Sequence, residues 1–330
     1  MRAVLRRYFV RVFIALFAVS MFSLREAQAG GGWVAKPGKG YLQFGYSRKT
    51  ADVVWDAKGN DLINRNAAGD PHYHDFRYSY FSGEIGLFSR VSGHFLVTYL
   101  WGYEGFKNTE LEENFGLSDA WFGATLQLQE GGWPMALRAN IRTPFFYDQH
   151  GPYVRHLYST ENYRRSDGTV VRDSTFLVMN NPEWRGLLRY DYTLAYNISH
   201  SFLNYRAWMN FELGFTYRQG APADEVPVNF ELGYRLPLKS VDPMLKLSVN
   251  IVRSLHNESR SVPHDRFNFP PTSAYTFNDA SMARASLALL VPINDRFMAQ
   301  AGYGQWVWGH GARQYKEPFI SLGYALGAGN

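Results

Sequence analysis

From Tyr205 to Arg218 the chain alternates without a break. Odd positions read Tyr205, Ala207, Met209, Phe211, Leu213, Phe215 and Tyr217; even ones read Arg206, Trp208, Asn210, Glu212, Gly214, Thr216 and Arg218. Successive side chains of a strand point to opposite faces, so this stretch has one apolar face and one polar or small face. The pattern recurs in Leu188, Tyr190, Tyr192, Leu194, Tyr196 and Ile198 against Arg189, Asp191, Thr193 and Asn197. It recurs again in Val226, Val228, Phe230, Leu232 and Tyr234 against Asn229, Glu231, Gly233 and Arg235. Whatever this chain folds into is built from two-faced strands.

Twelve such segments lie near 40–48, 76–88, 93–103, 118–128, 134–144, 186–198, 205–218, 225–236, 244–254, 280–292, 295–308 and 316–326. The second is the least regular. Its phase switches around Phe81, as at a bulge or a misjudged boundary. A soluble sandwich buries one face of each sheet and wets the other; a transmembrane barrel turns the apolar face to lipid and the polar face to the lumen.

Three features favour the barrel. The segments are long enough to cross a bilayer at a tilt, and Tyr, Trp and Phe crowd their ends as interfacial girdles. The connectors also alternate in length. Ser89–Ser92, Gln129–Trp133, Ser199–Asn204, Pro237–Pro243 and Pro292–Asn294 are short, whereas 49–75, 104–117, 145–185, 255–279 and 309–315 are longer, and only 219–224 is short on that side. Short periplasmic turns with long external loops are the outer-membrane arrangement. The expected fold is all-β, a transmembrane antiparallel up-and-down β-barrel of about twelve strands. It fills residues 30–330 as one domain, and the even strand number puts both termini in the periplasm.

Aromatics make up 17% of the chain while mean hydropathy is −0.30, which suits apolar side chains at every second residue. The net charge of +5 misleads, because Arg2, Arg6, Arg7, Arg11 and Arg25 all precede residue 30. Without that segment, which also holds Glu26, 29 basic residues face 28 acidic, and a nucleic-acid partner is not indicated. Residues 1–29 have the cationic start, largely apolar Val12–Phe22 stretch and Ala27-Gln28-Ala29 ending of a cleaved signal peptide. Eleven residues of helix rise ~16 Å against a hydrocarbon core of ~30 Å, too little for an anchor. Zero cysteines exclude disulfides, thiolate metal sites and a cysteine nucleophile.

Strand phase assigns the lumen. Basic candidates are Arg138, Arg142, Arg189, Arg206, Arg218, Arg235, Lys246, Arg284 and Arg296; acidic ones are Asp119, Asp191, Glu212 and Glu231, with Asn140 beside them. Arg142 and Arg218 are expected nearest the external end. Such charges are paired or hydrated. They form either a conduit with a cationic bias that attracts anions, or a ladder of ion pairs filling a narrow barrel. Twelve strands lie between filled small barrels and open porins. The loop 145–185 carries His150, Tyr153, Arg155, His156, Tyr158, Tyr163, Arg164, Arg165 and Arg172, and is expected to gate or cap the mouth.

Seven of nine histidines (His72, His74, His150, His156, His256, His264 and His310) fall in expected external loops. His72 and His74 have chelating spacing, but nothing nearby completes a metal ligand set. No cofactor motif is present. A hydrolase needs a nucleophile and a base within hydrogen-bond reach. His200 and Ser201 are adjacent and face opposite ways on a strand, and the pairs His256 with Ser259, His74-Asp75 and His264-Asp265 are loop residues. The chain does not read as an enzyme.

Three stretches carry a family resemblance. They are Gly32–Tyr41 with the Asp56–Asn60 loop, Phe81–Leu87, and Gly116–Ala124 followed by Arg142-Thr143-Pro144. Together they resemble the outer-membrane β-barrels of the phenol meta-pathway transporter family, distantly similar to fatty-acid and aromatic-hydrocarbon channels. The resemblance implies passive uptake of small, often hydrophobic or aromatic molecules. The chain departs from those channels in three places. Only about ten residues, Gly30–Lys39, precede the first strand where the fatty-acid channels carry a plug; Phe145-Phe146 follows Thr-Pro; and the chain ends on Ala328-Gly329-Asn330 instead of an aromatic.

The expected function is an outer-membrane channel or passive transporter for small hydrophobic, aromatic or anionic molecules. Its expected partners are outer-membrane lipids, the solute and the barrel-assembly machinery. The alternatives are a non-conducting structural or surface-interaction barrel and an outer-membrane lipid hydrolase.

Overall fold

A computed structural model describes residues 31–55, 59–63, 72–106, 110–144, 190–219, 223–238, 242–255, 280–310 and 312–327, with four short strands between 153 and 180. Residues 1–29, where a signal peptide is expected, and Arg189 lie outside the described residues. The main elements are β1 (Gly40–Ala51), β2 (His72–Phe88), β3 (Val91–Phe106), β4 (Glu110–Leu117 continued by Ala120–Gln129), β5 (Met135–Thr143) and β6 (Asp191–Phe202). They continue with β7 (Ala207–Arg218), β8 (Glu225–Arg235), β9 (Met244–Ser254), β10 (Ser281–Pro292), β11 (Phe297–His310) and β12 (Lys316–Leu326).

Every neighbouring pair is antiparallel, and β1 pairs with both β2 and β12, closing the ring of twelve. Closure leaves no unpaired edge, which hydrocarbon would penalise at every backbone group. Proline interrupts two ladders on one side each. Around Pro227 the β7–β8 pairing stops at Leu213↔Val228 and resumes at Thr216↔Glu225, and Pro318 interrupts β1–β12 between Ser47↔Phe319 and Thr50↔Lys316. The missing N–H is the cause in each case.

The outer wall is apolar. Phe44, Leu194, Phe215, Leu287, Val307 and Ile320 are all exposed there. The interior face carries the buried polar set, among them Ser47, Thr125, Asp191, Asn197, Ser199 and Ser321. This inversion of the soluble arrangement is the fold that the alternating pattern calls for.

Three sequence expectations need correction. No bulge lies at Phe81, since β2 pairs with β1 without a slip from His74 to Ile85 and shifts against β3 only between Gly86 and Phe88. The phase switches in polarity alone, because Phe76, Tyr78 and Tyr80 point inward while Phe81 packs outward against Phe95 with ring centroids 5.3 Å apart. The expected loop 104–117 is instead paired strand: β3 and the first part of β4 form a hairpin from Tyr99↔Leu117 to Phe106↔Glu110. A break at Ser118-Asp119 lets β4 rejoin the wall, and Ser118 N–H still donates to the Thr98 carbonyl at 2.8 Å. Within 145–185, Tyr153–Leu157 pairs with Phe176–Asn180 and Asn162–Arg164 with Val170–Arg172; the rest of that loop lies outside the described residues.

Candidate solute pathway

Strand parity and register sort the interior charges into tiers. Nearest the long connections, Asp119 on β4 meets Arg142 on β5 at 2.5 Å, and Arg142 lies 3.7 Å from Asp191 on β6. Asp191 is 3.8 Å from Arg218 on β7, which reaches Glu225 on β8 at 2.8 Å. Signs alternate strand by strand across five strands. Register makes this possible, because Asp191 stands directly opposite both Arg142 and Arg218. The side chains of Asp119 and Asp191 are each only 2% exposed, and a carboxylate so buried requires such partners.

A second tier runs further round the wall. Arg138 pairs with Glu212 at 3.0 Å, Glu212 accepts from Asn229 at 2.6 Å, and Asn229 accepts from Asn250 at 2.8 Å. Arg284 donates to Asn250 at 3.3 Å and to Glu317 at 2.8 Å, and Lys49 on β1 stands 3.8 Å from Glu317. His94 and Asn140 hydrogen-bond across β4. Towards the short turns, Glu231 pairs with Lys246 at 3.2 Å and accepts from Trp208 at 3.2 Å and Asn210 at 3.3 Å. Unlike the uppermost acids, Arg138, Lys246, Glu231 and Lys49 keep 26–28% of their side-chain surface exposed.

Aromatic rings line the same interior, most densely on β1–β3 and β10–β12. Tyr80 lies across Gly45, Trp208 across Gly233 and Phe319 across Gly302, each so close that a Cβ on the glycine would collide with the ring. Glycine therefore lets these rings recline along the wall. Cations cover several of them. Lys49 sits 4.6 Å from the Tyr78 ring centre and 5.3 Å from that of Trp306, Arg284 lies 5.4 Å from Trp306, and Arg142 lies 5.3 Å from Trp121.

Of the residues expected to line the lumen, Asp119, Arg138, Asn140, Arg142, Asp191, Glu212, Arg218, Glu231, Lys246 and Arg284 face the interior. Two do not, and the expectation is corrected for them: Arg206 is exposed in the turn before β7 and Arg296 is exposed in the turn before β11. Arg235 ends β8 in phase with inward Glu231 and Gly233, exposed at the rim, and pairs with Asp242 at 2.9 Å. The strands begin later than alternation suggested, because local bonds shape these turns: the Asn294 side chain accepts from the N–H groups of Arg296 and Phe297. Sequence reasoning also missed inward Lys49, Glu84, Glu225 and Glu317. Among the described strand residues and Asp119, seven basic side chains (Lys49, Arg138, Arg142, Arg218, Arg235, Lys246 and Arg284) therefore share the inward side with seven acidic (Glu84, Asp119, Asp191, Glu212, Glu225, Glu231 and Glu317). The expected cationic excess is absent among these described residues. Glu225 shares the parity of Glu231 and was legible from it; Glu317 was masked by the inward Phe319 beside it.

The short N-terminal stretch also reaches inside. Gly38 N–H donates to the Gly86 carbonyl at 2.9 Å on β2, while Gly32 N–H donates to Ser199 Oγ on β6 at 2.6 Å. Gln127 on β4 donates to the Gly32 carbonyl at 3.2 Å. Ser199 and Gln127 point inward, so residues 31–39 cross the mouth at the short-turn end from one wall to the other. No Cβ fits at Gly32, where it would strike the Pro134 carbonyl. Ten residues looked too few to obstruct a barrel, and the run of small glycines was the available signal.

No metal-ligating group of three or more residues occurs among the described residues. His74 is buried inside β2, edge-on to Phe76 at 5.5 Å, and His200 stacks on Trp133 at 4.2 Å. His150, His256 and His264 lie outside the described residues.

These features define a closed twelve-stranded barrel of the outer-membrane type with a polar and aromatic interior. No family model matches the chain, and no curated protein sequence matches it. Among solved structures it is similar to an outer membrane channel from Pseudomonas putida F1, at 11% identity, TM-score 0.54, and coverage of 91% of this chain and 100% of that one. The translocator domain of the autotransporter NalP from Neisseria meningitidis aligns at 8% identity and TM-score 0.40, covering 98% and 96%. A deletion mutant of the TodX monoaromatic hydrocarbon channel aligns at 7% and 0.45, covering 88% and 91%. The first of these likenesses establishes the barrel fold, the level at which the sequence motifs pointed to such channels.

Proposed function

We propose that this chain is an outer-membrane channel for passive uptake of small, uncharged, hydrophobic or aromatic molecules. The observation that carries the reading is the interior itself. Its charges are balanced and mutually bonded, several keep about a quarter of their surface accessible, and aromatic rings recline beside them. Charge balance argues against an anion conduit, and the retained accessibility argues against a solidly filled barrel. Paired charges hold the wall open, and the rings offer apolar and π contacts to a passing solute. The segment 31–39 narrows the periplasmic mouth, so flux of large hydrophilic solutes is expected to be low.

The test is the exported chain reconstituted in a planar bilayer under a salt gradient, alongside liposome uptake of a phenol-sized aromatic and of a sugar. Small conductance with a reversal potential near zero is expected, together with aromatic uptake exceeding sugar uptake. Strong anion selectivity, or no permeability to either solute, would overturn the proposal.

A further inference from the structure

The outer face of β12, β1 and β2 departs from the apolar wall at one level. Arg48 on β1 donates from Nε and Nη2 to the two Asp75 oxygens at 2.8 and 2.7 Å, and Arg77 on β2 reaches Asp75 Oδ2 at 3.4 Å. Register shows that these side chains point out of the barrel: Arg48 pairs with Arg77 and Thr50 with Asp75, in phase with outward Phe44↔Phe81. Lys316 on β12 stands opposite Thr50, is exposed, and forms no ion pair among the described residues. Two arginines thus share one carboxylate that is 7% exposed, and with Lys316 beside them these four outward side chains carry a formal +2. Arg77 is further held 5.0 Å from the Trp101 ring centre and 5.8 Å from that of Tyr103.

The level matters as much as the charge. Immediately towards the short-turn end, Tyr46, Phe44, Phe81, Tyr99 and Ile320 are exposed on the same face. Guanidinium groups facing hydrocarbon are costly, so the patch marks the boundary where the wall leaves the acyl region on the long-loop side. The aromatic pair Trp101 and Tyr103 is the expected company at that boundary. The ligand that meets a +2 patch there, with acyl chains running down the apolar face below, is a phosphorylated amphiphile of the outer leaflet.

We propose that Arg48, Arg77 and Lys316 form a binding site for the phosphorylated glucosamine headgroup of lipopolysaccharide. Arginine suits phosphate through its forked donors. Asp75 pre-orients the two guanidiniums while cancelling one of three charges. The site rests on the outer-membrane placement proposed above, but it is independent of whether the lumen conducts.

The experiment titrates the folded full-length barrel, in a neutral detergent, with lipopolysaccharide, dephosphorylated lipopolysaccharide, phosphatidylglycerol and inorganic phosphate, reading binding by thermal shift and native mass spectrometry. Lipopolysaccharide is expected to bind at least tenfold more tightly than the dephosphorylated form or phosphatidylglycerol, and inorganic phosphate alone is expected to give no shift. Lys316→Gln, which breaks no ion pair among the described residues, should weaken binding severalfold, and Arg48→Gln/Lys316→Gln more. Asp75→Asn, which removes the competing carboxylate, should tighten it. Arg253→Gln, at an outward arginine elsewhere on the wall, should change nothing. Equal binding of the dephosphorylated lipid, or unchanged affinity in Lys316→Gln, overturns the site. Fractionation of cells and the solute-uptake assay report separately on membrane placement and channel function, so failure of one reading is not mistaken for failure of the other.

Discussion

Asp191 is the residue on which the upper charge tier turns. It lies between Arg142 and Arg218 with its side chain 2% exposed, and joins the Asp119–Arg142 pair to the Arg218–Glu225 pair. Asp191→Asn keeps the shape and removes the charge. Breaking a buried ionic network in this way costs roughly 3 kcal/mol, and the urea midpoint of the folded barrel in lipid should fall accordingly. Gly233 makes a complementary point about space. Gly233→Val should drive the Trp208 ring off the wall and towards the axis, lowering single-channel conductance while leaving heat-modifiable folding intact.

At the scale of elements, the β6–β7 hairpin turns through three successive left-handed non-glycine residues, Leu203, Asn204 and Tyr205, with φ of 54°, 52° and 66°. Asparagine tolerates this region; leucine and tyrosine pay roughly 1 kcal/mol each for it. Leu203→Gly should therefore raise the unfolding midpoint, by up to about 1 kcal/mol after the entropic cost of glycine is subtracted. An unchanged or lower midpoint would show that the exposed leucine makes up for its strain elsewhere. The same turn explains the misplacement of Arg206. Alternation carries smoothly from Tyr205 into β7, and nothing in a period of two marks where pairing starts. In β2 the opposite happened: a regular strand looked irregular because its inward face is aromatic over Phe76, Tyr78 and Tyr80. Polarity is a proxy for facing, and it fails where a lumen uses rings as well as charges.

For the whole molecule, the decisive feature is the N-terminal stretch across the short-turn mouth. It is anchored on the Gly86 backbone of β2 at one end and on Ser199 of β6 and Gln127 of β4 at the other. Deleting residues 31–36 should enlarge conductance severalfold and admit larger solutes, without unfolding a ring whose β1 pairings begin at Gly40. Unchanged conductance in planar bilayers would mean that the constriction lies elsewhere, and the upper charge tier would be the next place to look.

The architecture was legible from the chain alone. A period of two with one apolar face, repeated twelve times between connectors of alternating length, admits few solutions, because backbone groups in hydrocarbon have to pair and only closure pairs them all. Most of the inward charges followed from parity for the same reason. Tertiary structure decided what parity cannot carry: which charge meets which, and what lies on the interior without strand phase. Alternation says that Arg142 and Asp191 point the same way, whereas only the register across β5, β6 and β7 places one carboxylate between two guanidiniums. Among the described residues it shows no excess of positive charge inside, because the balance depends on Glu84, Glu225, Glu317 and Lys49 and on where turns cut the strands. Gly31 and Gly32 merely precede the first strand in one dimension; in three they lie against Ser199, 167 residues further on from Gly32, at the short-turn mouth.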